Sequence, residues 1–445
     1  METTLEGHYS YGRLIRSSVP LVTMMIVTSI YSIVDGLFVS NIAGTTAFAA
    51  LNLIWPALAV VGALGLMVGT GGSALVSKVL GEGDPERADR IFSMVVWFVL
   101  LISVLCAIPL LIWMEPLARL LGAEGEEMVR QSVIYGRICA AGMPAFMMQM
   151  ALQPYYMVTG KPQLGTVLSI ASGLTNMALD ALFILGFGWG IAGAAAASMI
   201  ACCVGGFVPL AYFAFRKKDS RGLHLVRACF ERAPLLQSCS NGLSEFVGNI
   251  AFNVLAICYN LQLMRFYGEN GVAAYSVILY VGYIFFAIFS GYNLTVMPLV
   301  GYNYGAGDKA ELHSLLVRSL RLLLGLGLIL AGIGQLIAGP AARLFVGYDP
   351  DLTALTIRAM RIYLPSLLLS GLTLFVSAWF TGLNNGPVSA IASFSRSLVF
   401  EIGAVFLLPA LVGIDGIWLS VDIAEVCSLI LGTFLLLHFR ERYGY

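Results

Sequence analysis

Leu75-Val-Ser-Lys-Val-Leu-Gly-Glu-Gly-Asp84 returns, altered but recognisable, as Leu299-Val-Gly-Tyr-Asn-Tyr-Gly-Ala-Gly-Asp308. Both stretches end a long apolar run with Gly-x-Gly-Asp, a turn followed by an acid suited to start a helix. Neither is a phosphate loop, because no Lys-Ser/Thr follows. Two more pairs keep the same order: Val158-Thr-Gly160 before Pro162 with Phe380-Thr-Gly382 before Pro387, and Gly190-Ile-Ala-Gly193 with Gly413-Ile-Asp-Gly416. Three pairs at a nearly constant offset define an internal repeat. The chain then divides into 1–215, a basic linker at 216–233, and 234–445.

What is repeated is a set of membrane spans. The hydrophobic fraction is 59% and the charged fraction 11%, where soluble domains carry about 25% charged residues. Mean hydropathy is +0.86. By the ~20-residue apolar criterion there are about twelve spans, near 13–38, 47–77, 91–113, 131–157, 164–186, 191–215, 234–264, 271–303, 313–338, 354–382, 387–410 and 415–439. The expected fold is an all-α polytopic membrane protein of two six-helix bundles. Each half holds an even number of spans, so both enter from the same side and the repeat is parallel. Met1 to Ser10 is too short and acidic to read as a cleavable signal.

Lys and Arg set the orientation. Arg13, Arg16, Lys78, Arg87, Arg90, Lys161, Arg216, Lys217, Lys218, Arg221, Arg227 and Arg232 fall on one side with the chain ends, and fewer basic residues fall opposite. The positive-inside rule puts both termini and the linker in the cytoplasm, and makes the chain a multi-pass protein of the plasma (inner) membrane. A formal net charge of +0 implies no nucleic-acid partner. The cysteines and histidines have no metal or disulfide spacing. No nucleotide motif is present, so no cofactor is expected, and no convergent catalytic set of an enzyme stands out.

Polar residues inside apolar spans point to function. In the first half Asp35 lies in span 1, sharing a face with Tyr31, Thr28 and Pro20. Span 5 carries Asn176 and Asp180 one turn apart, with Ser169, Ser172 and Gly173 continuing the stripe. Two carboxylates in a low-dielectric cavity cannot both stay ionised without a cation, so a proton or Na⁺ resolves the repulsion. Pro20 is a place where span 1 can bend. The alternative is a buried structural pair that holds spans 1 and 5 in register.

The second half differs. Glu245, Asn249 and Asn253 form one stripe on span 7, and the aligned counterpart of Asp35 is Tyr259, so this half lacks the acid pair of the first. Arg396 and Glu401 on span 11 are five apart, face different ways, and each needs a partner from another helix. Glu245 and Glu401 would attract cationic cargo, or would be bonded to Arg396 and the asparagines as structural glue; the sequence leaves both open. Aromatics crowd spans 7 and 8, where cation–π binding competes with simple packing.

Over its whole length the chain resembles the multidrug and toxic compound extrusion (MATE) transporters. Pro298-Leu-Val-Gly-Tyr-Asn-Tyr-Gly-Ala-Gly-Asp308 is similar to that family's signature after the eighth helix, and Asn241-Gly-Leu-Ser-Glu-Phe-Val to the start of its seventh. Pro20 with Asp35, and Asn176 with Asp180, resemble the branch called DinF-like. The resemblance implies a cation site, for H⁺ or Na⁺, at Asp35, Asn176, Asp180 and Ser198, where Ser198 stands in for the commoner Thr. It also implies a monomeric prokaryotic antiporter whose partners are small cationic or amphipathic molecules and the lipid bilayer. Tyr31, Glu245, Asn249, Asn253, Tyr259, Arg396 and Glu401 are the candidate cavity residues. The runner-up is a lipid-linked oligosaccharide flippase of the related superfamily. Such a protein should show several cations in its cavity, and this sequence offers chiefly Arg396 within a span.

Overall fold

The structure, a computed structural model, describes residues 5–39, 42, 44–215, 222–227 and 230–445. Parts of the expected linker, at 216–221 and 228–229, lie outside the described residues. Among the described residues every regular element is helical: α1 (Tyr11–Phe38), α2 (Thr45–Gly81), α3 (Pro85–Leu120), α4 (Glu126–Ala141), α5 (Met143–Leu152), α6 (Tyr155–Val158), α7 (Pro162–Asp180), α8 (Gly190–Ala214), α9 (Arg232–Asn241), α10 (Leu243–Ala306), α11 (Lys309–Val346), α12 (Pro350–Tyr363), α13 (Leu367–Gly382), α14 (Gly386–Phe394), α15 (Ile402–Val412) and α16 (Gly416–Tyr443).

Ten helical segments among the described residues are long and apolar enough to cross a membrane, and two local features account for the twelve that the sequence suggests. Helix α10 runs for 64 residues, about 96 Å if straight, far beyond a ~30 Å hydrocarbon core. It breaks at Gly268, whose φ of 63° and ψ of −152° suit glycine almost exclusively, and so supplies the seventh and eighth spans. The fourth span is interrupted: α4 stops at Gly142, Pro144 opens α5, and α6 follows Pro154. Neither piece alone meets the length criterion.

The repeat is visible in geometry. Asp84 caps α3 by accepting from Arg87 N at 2.9 Å, and Asp308 caps α11 by accepting from Glu311 N at 2.9 Å. The glycines before them, Gly83 (φ 83°) and Gly307 (φ 72°), occupy the left-handed region that glycine enters without steric cost. At the seam between the halves, a β-carbon on Gly81 would lie 2.0 Å from Tyr302 O, and one on Gly305 would lie 1.9 Å from Lys78 O. These are the same contact made twice, once from each side of the pseudo-twofold axis. Gly242 against Met67 O and Gly291 against Val22 repeat the pattern higher up. Small residues let helix backbones approach closely within a membrane, and α2 and α1 of the first lobe therefore pack directly on α10 of the second.

The segment before α1 crosses to the other lobe at the same end. Tyr9 N donates to Glu311 Oε1 at 2.8 Å, His8 Nδ1 lies 2.6 Å from Glu311 Oε2, and Arg318 bonds the Tyr9 carbonyl. The seam thus lies toward the basic connections and is strapped there by the N-terminal residues.

Candidate functional site

Helix α1 runs unbroken through Pro20. Thr166 Oγ1 on α7 donates to the Pro20 carbonyl at 2.6 Å. This contact, with the packing of α1 on α7, brings the end of α1 beside the end of α7. Gly173 makes room: a β-carbon there would sit 3.1 Å from the Tyr31 ring. Ser172 Oγ donates to Ala201 O at 2.7 Å and ties α7 to α8.

At the meeting point Asp35, Asn176, Asp180 and Ser198 converge. Asn176 and Asp180 are 1% and 0% exposed. The Asn176 amide donates to Ser198 Oγ at 3.3 Å, and the Asp35 and Asp180 carboxyls lie within electrostatic reach of each other. Asp35 Oδ1, both oxygens of Asp180 and Asn176 Oδ1 are buried without a hydrogen-bond donor. Buried polar atoms are nearly always paired, so four orphaned oxygens in one place are exceptional. A donor or a cation is what they lack, and two carboxyls with a neutral amide and a hydroxyl form an oxygen set suited to a hard cation or to protonation. Immediately after Asp180 the helix opens into a π-helical turn, Ala181–Gly186, a local widening that recurs at functional sites.

Three neighbours escaped the sequence reading. Gln149 on α5 is 5% exposed with its Oε1 unpartnered. Tyr135 and Cys139 on α4, each 2% exposed, lie within electrostatic range of Asp35. The one signal for Gln149 was an amide inside Met-Pro-Ala-Phe-Met-Met-Gln-Met; nothing in sequence singled out Tyr135 or Cys139.

The second lobe has Tyr259 where the first has Asp35, and it carries two acids that the sequence reading passed over: Asp422 and Glu425 on α16 join Glu401. Arg396 finds its partner there, with Nε 3.1 Å from Glu425 Oε1, and Glu425 is 2% exposed. Ser370 Oγ donates to Glu425 Oε1 at 2.9 Å, and Thr373 Oγ1 donates to Oε2. The Glu425 carboxylate is therefore fully served. Glu401 accepts from Tyr259 OH at 3.4 Å, and Tyr259 also shares a 2.8 Å hydrogen bond with Ser420. Arg396 and Glu401 both lie in a π-helical turn, Ser395–Glu401. Among the carboxylates of this cluster one atom, Asp422 Oδ2, is orphaned. Tyr259 is 0% exposed and stacks on Tyr275 at 4.7 Å: it fills the lobe's core rather than a cavity wall.

On α10 the expected stripe forms, with its amides bonded to carbonyls of their own helix. Asn249 Nδ2 donates to Glu245 O and Asn253 Nδ2 to Asn249 O, both at 2.9 Å. Glu245 has no ion partner within 4.0 Å among the described residues. Arg396 does not bond Glu245 or the asparagines.

Two helical lobes built from one repeat, packed on each other and each holding buried polar groups, have the architecture of a membrane transporter built from internal repeats. The MatE family model matches residues 20–182 and again 246–407, once in each lobe, and the chain belongs to that family of transporters. Multidrug export protein MepA of Staphylococcus haemolyticus is 24% identical over 425 residues, 96% of this chain and 93% of its own length. Its namesake in Staphylococcus saprophyticus is 24% identical over 416 residues, 93% of this chain and 90% of its own. A solved structure described as the outward-facing conformation of a multidrug resistance MATE family transporter of the MOP superfamily matches with a TM-score of 0.91 at 24% identity, covering 100% of this chain and 99% of that one.

Proposed function

We propose that the protein exports small molecules, as the name multidrug export protein of its relatives suggests, that this cargo is amphipathic or cationic, and that export is driven by exchange for H⁺ or Na⁺. The observation that carries this reading is the group of orphaned oxygens on Asp35, Asp180 and Asn176. Burying a charge or an unpaired acceptor in an apolar helix costs free energy. A site that keeps such atoms unpaired is therefore one whose missing partner comes and goes. Asp35 sits on α1, which packs both on α7 and on α10 of the other lobe. Neutralising Asp35 changes what α1 prefers to pack against, and α1 touches the seam. With the basic side cytoplasmic, the glycine seam is a gate closed toward the cytoplasm, and the ion enters from outside. Glu245, half-buried near the start of α10 and without an ion partner among the described residues, is an attraction point for cationic cargo. The protein works in the plasma membrane, as a monomer, with both termini cytoplasmic.

Proteoliposomes holding the purified protein test the coupling. With H⁺ and Na⁺ gradients imposed separately, one of them alone should drive a lipophilic dye uphill. Dye movement independent of both gradients contradicts the proposal. Orientation has its own test: in a Cys-free variant, Gly125→Cys should react with an impermeant thiol reagent from outside the cell and Gly222→Cys should not; the reverse pattern would invert the assignment.

A further inference from the structure

A groove opens on the second lobe among α11, α13 and α16. Helix α13 packs against α11 and against α16, and between those two helices it floors a cavity of about 480 Å³, within the ~300–1,000 Å³ range of small-ligand sites. Its walls are apolar, with Leu316 from α11, Leu372 from α13 and Leu436 from α16. Three basic residues line the same groove: His313 and Arg321 from α11, and Arg440 from α16. His313 stands in the first turns of α11, Arg321 two turns further along it, and Arg440 in the last turn of α16. Tyr445, 5% exposed, also lines the groove, and its ring meets Trp379 edge-on at 5.4 Å.

Among the described residues, no carboxylate side chain forms an ion pair with His313, Arg321 or Arg440. Arg321 makes one bond to Tyr11 OH at 3.3 Å, and Arg440 Nε one to the main-chain oxygen of Tyr445 at 3.3 Å. A guanidinium has five N–H donors, so most of theirs remain available. Basic side chains at helix ends ordinarily reach outward to the interface one at a time. Here two, from helices that are not sequence neighbours, border one apolar slot with a histidine beside them. An apolar slot for chains beneath a cluster of forked donors for phosphate is complementary to an anionic phospholipid.

We propose that the groove between α11, α13 and α16 is a binding site for one anionic phospholipid, its phosphate held by Arg321 and Arg440 and its acyl chain lying along Leu316, Leu372 and Leu436. The site is independent of the ion and cargo sites. It takes its occupant from the inner leaflet, where anionic lipids attract basic groups.

Native mass spectrometry of the protein released from bilayers of equal phosphatidylglycerol and phosphatidylcholine tests this. The unaltered chain should retain phosphatidylglycerol in preference to phosphatidylcholine. Each Arg→Gln change should lower that preference about fivefold, and R321Q/R440Q together roughly 25-fold, while R321K/R440K should keep most of it. Leu324→Trp, at a lining position that is 43% exposed, blocks the slot without touching charge or core and should also lower retention. Equal retention of the two lipids by the unaltered chain, or an unchanged preference in R321Q/R440Q, overturns the proposal. If R321Q/R440Q does not fold, Leu324→Trp decides alone: undiminished retention there overturns it.

Discussion

The two lobes share a scaffold and both bury carboxylates in their helices, yet treat them in opposite ways. In the first lobe Asp35, Asp180 and Asn176 present four buried oxygens with no donor. In the second, Glu425 receives Arg396, Ser370 and Thr373, and Glu401 receives Tyr259. A buried ion pair with its hydrogen bonds filled holds helices together and resists rearrangement, and removing one partner strands the other. A buried pair of like groups with nothing between them invites an exchangeable cation. The repeat thus carries orphaned carboxylate oxygens in one copy and a satisfied ion pair in the other. Both lobes open a π-helical turn beside the acid, at Ala181–Gly186 and Ser395–Glu401, so the widening itself is not what separates them. What separates them is the arginine.

That contrast can be broken from either side. The largest effect is expected in the first lobe. Asp35→Asn and Asp180→Asn should each abolish gradient-driven export while leaving the protein purifiable, because Asn keeps the shape and removes a buried charge. The double variant should be hardly worse than either single one, as for residues acting as a unit. Transport assays in proteoliposomes check this; uphill export surviving either change shifts the coupling role to other acids. Next in size is the second lobe, where the failure should be of a different kind. Arg396→Gln leaves the buried Glu425 charge unpaired and should cost about 3–5 kcal/mol, seen as a lowered Tm. Adding Glu425→Gln should restore most of that loss. A stable Arg396→Gln that fails only in transport would mean the second lobe also couples.

Smaller effects sharpen the comparison. Ser198→Ala removes the acceptor of the Asn176 amide, worth about 1 kcal/mol, and should weaken ion affinity about fivefold, with Ser198→Thr close to unaltered. Equal losses in both variants would point to packing rather than to the hydroxyl. Glu245→Gln should reduce export of cationic dyes modestly and spare neutral ones. A uniform reduction across dyes, together with poor yield, would make Glu245 structural.

Much of the fold was legible because the repeat and the apolar spans are written at the level of single residues. Asp84 and Asp308 could be read as helix starts, and the structure makes both of them caps. The break in α10 at Gly268 falls in the gap between the expected spans 234–264 and 271–303, although the sequence did not announce that glycine's positive φ. The partnering of Gly81 with Tyr302 and Gly305 with Lys78 was not legible, since it depends on how the halves dock. In the first lobe Asp35, Asn176 and Asp180 stood out as charges or amides in apolar helices, and the structure brings them together with Ser198. The same criterion applies to Asp422 and Glu425 in Trp418-Leu-Ser-Val-Asp-Ile-Ala-Glu425. They lie three residues apart inside the last span, and they answer the question of what Arg396 needs. Tyr259 shows the opposite failure: an aromatic aligned with a functional acid reads as a cavity residue, while its hydroxyl belongs to Glu401 and Ser420.

The central claim is that cargo and a cation compete through the Asp35–Asp180 site and not through the acids of the second lobe. Dye affinity of the purified protein, measured by fluorescence anisotropy while H⁺ and Na⁺ are varied in turn, tests it directly. The unaltered chain should lose about tenfold in dye affinity as one of the two cations rises; Glu401→Gln should keep that dependence, and Asp180→Asn should show none. Cation dependence that persists in Asp180→Asn, or vanishes in Glu401→Gln, would contradict the account.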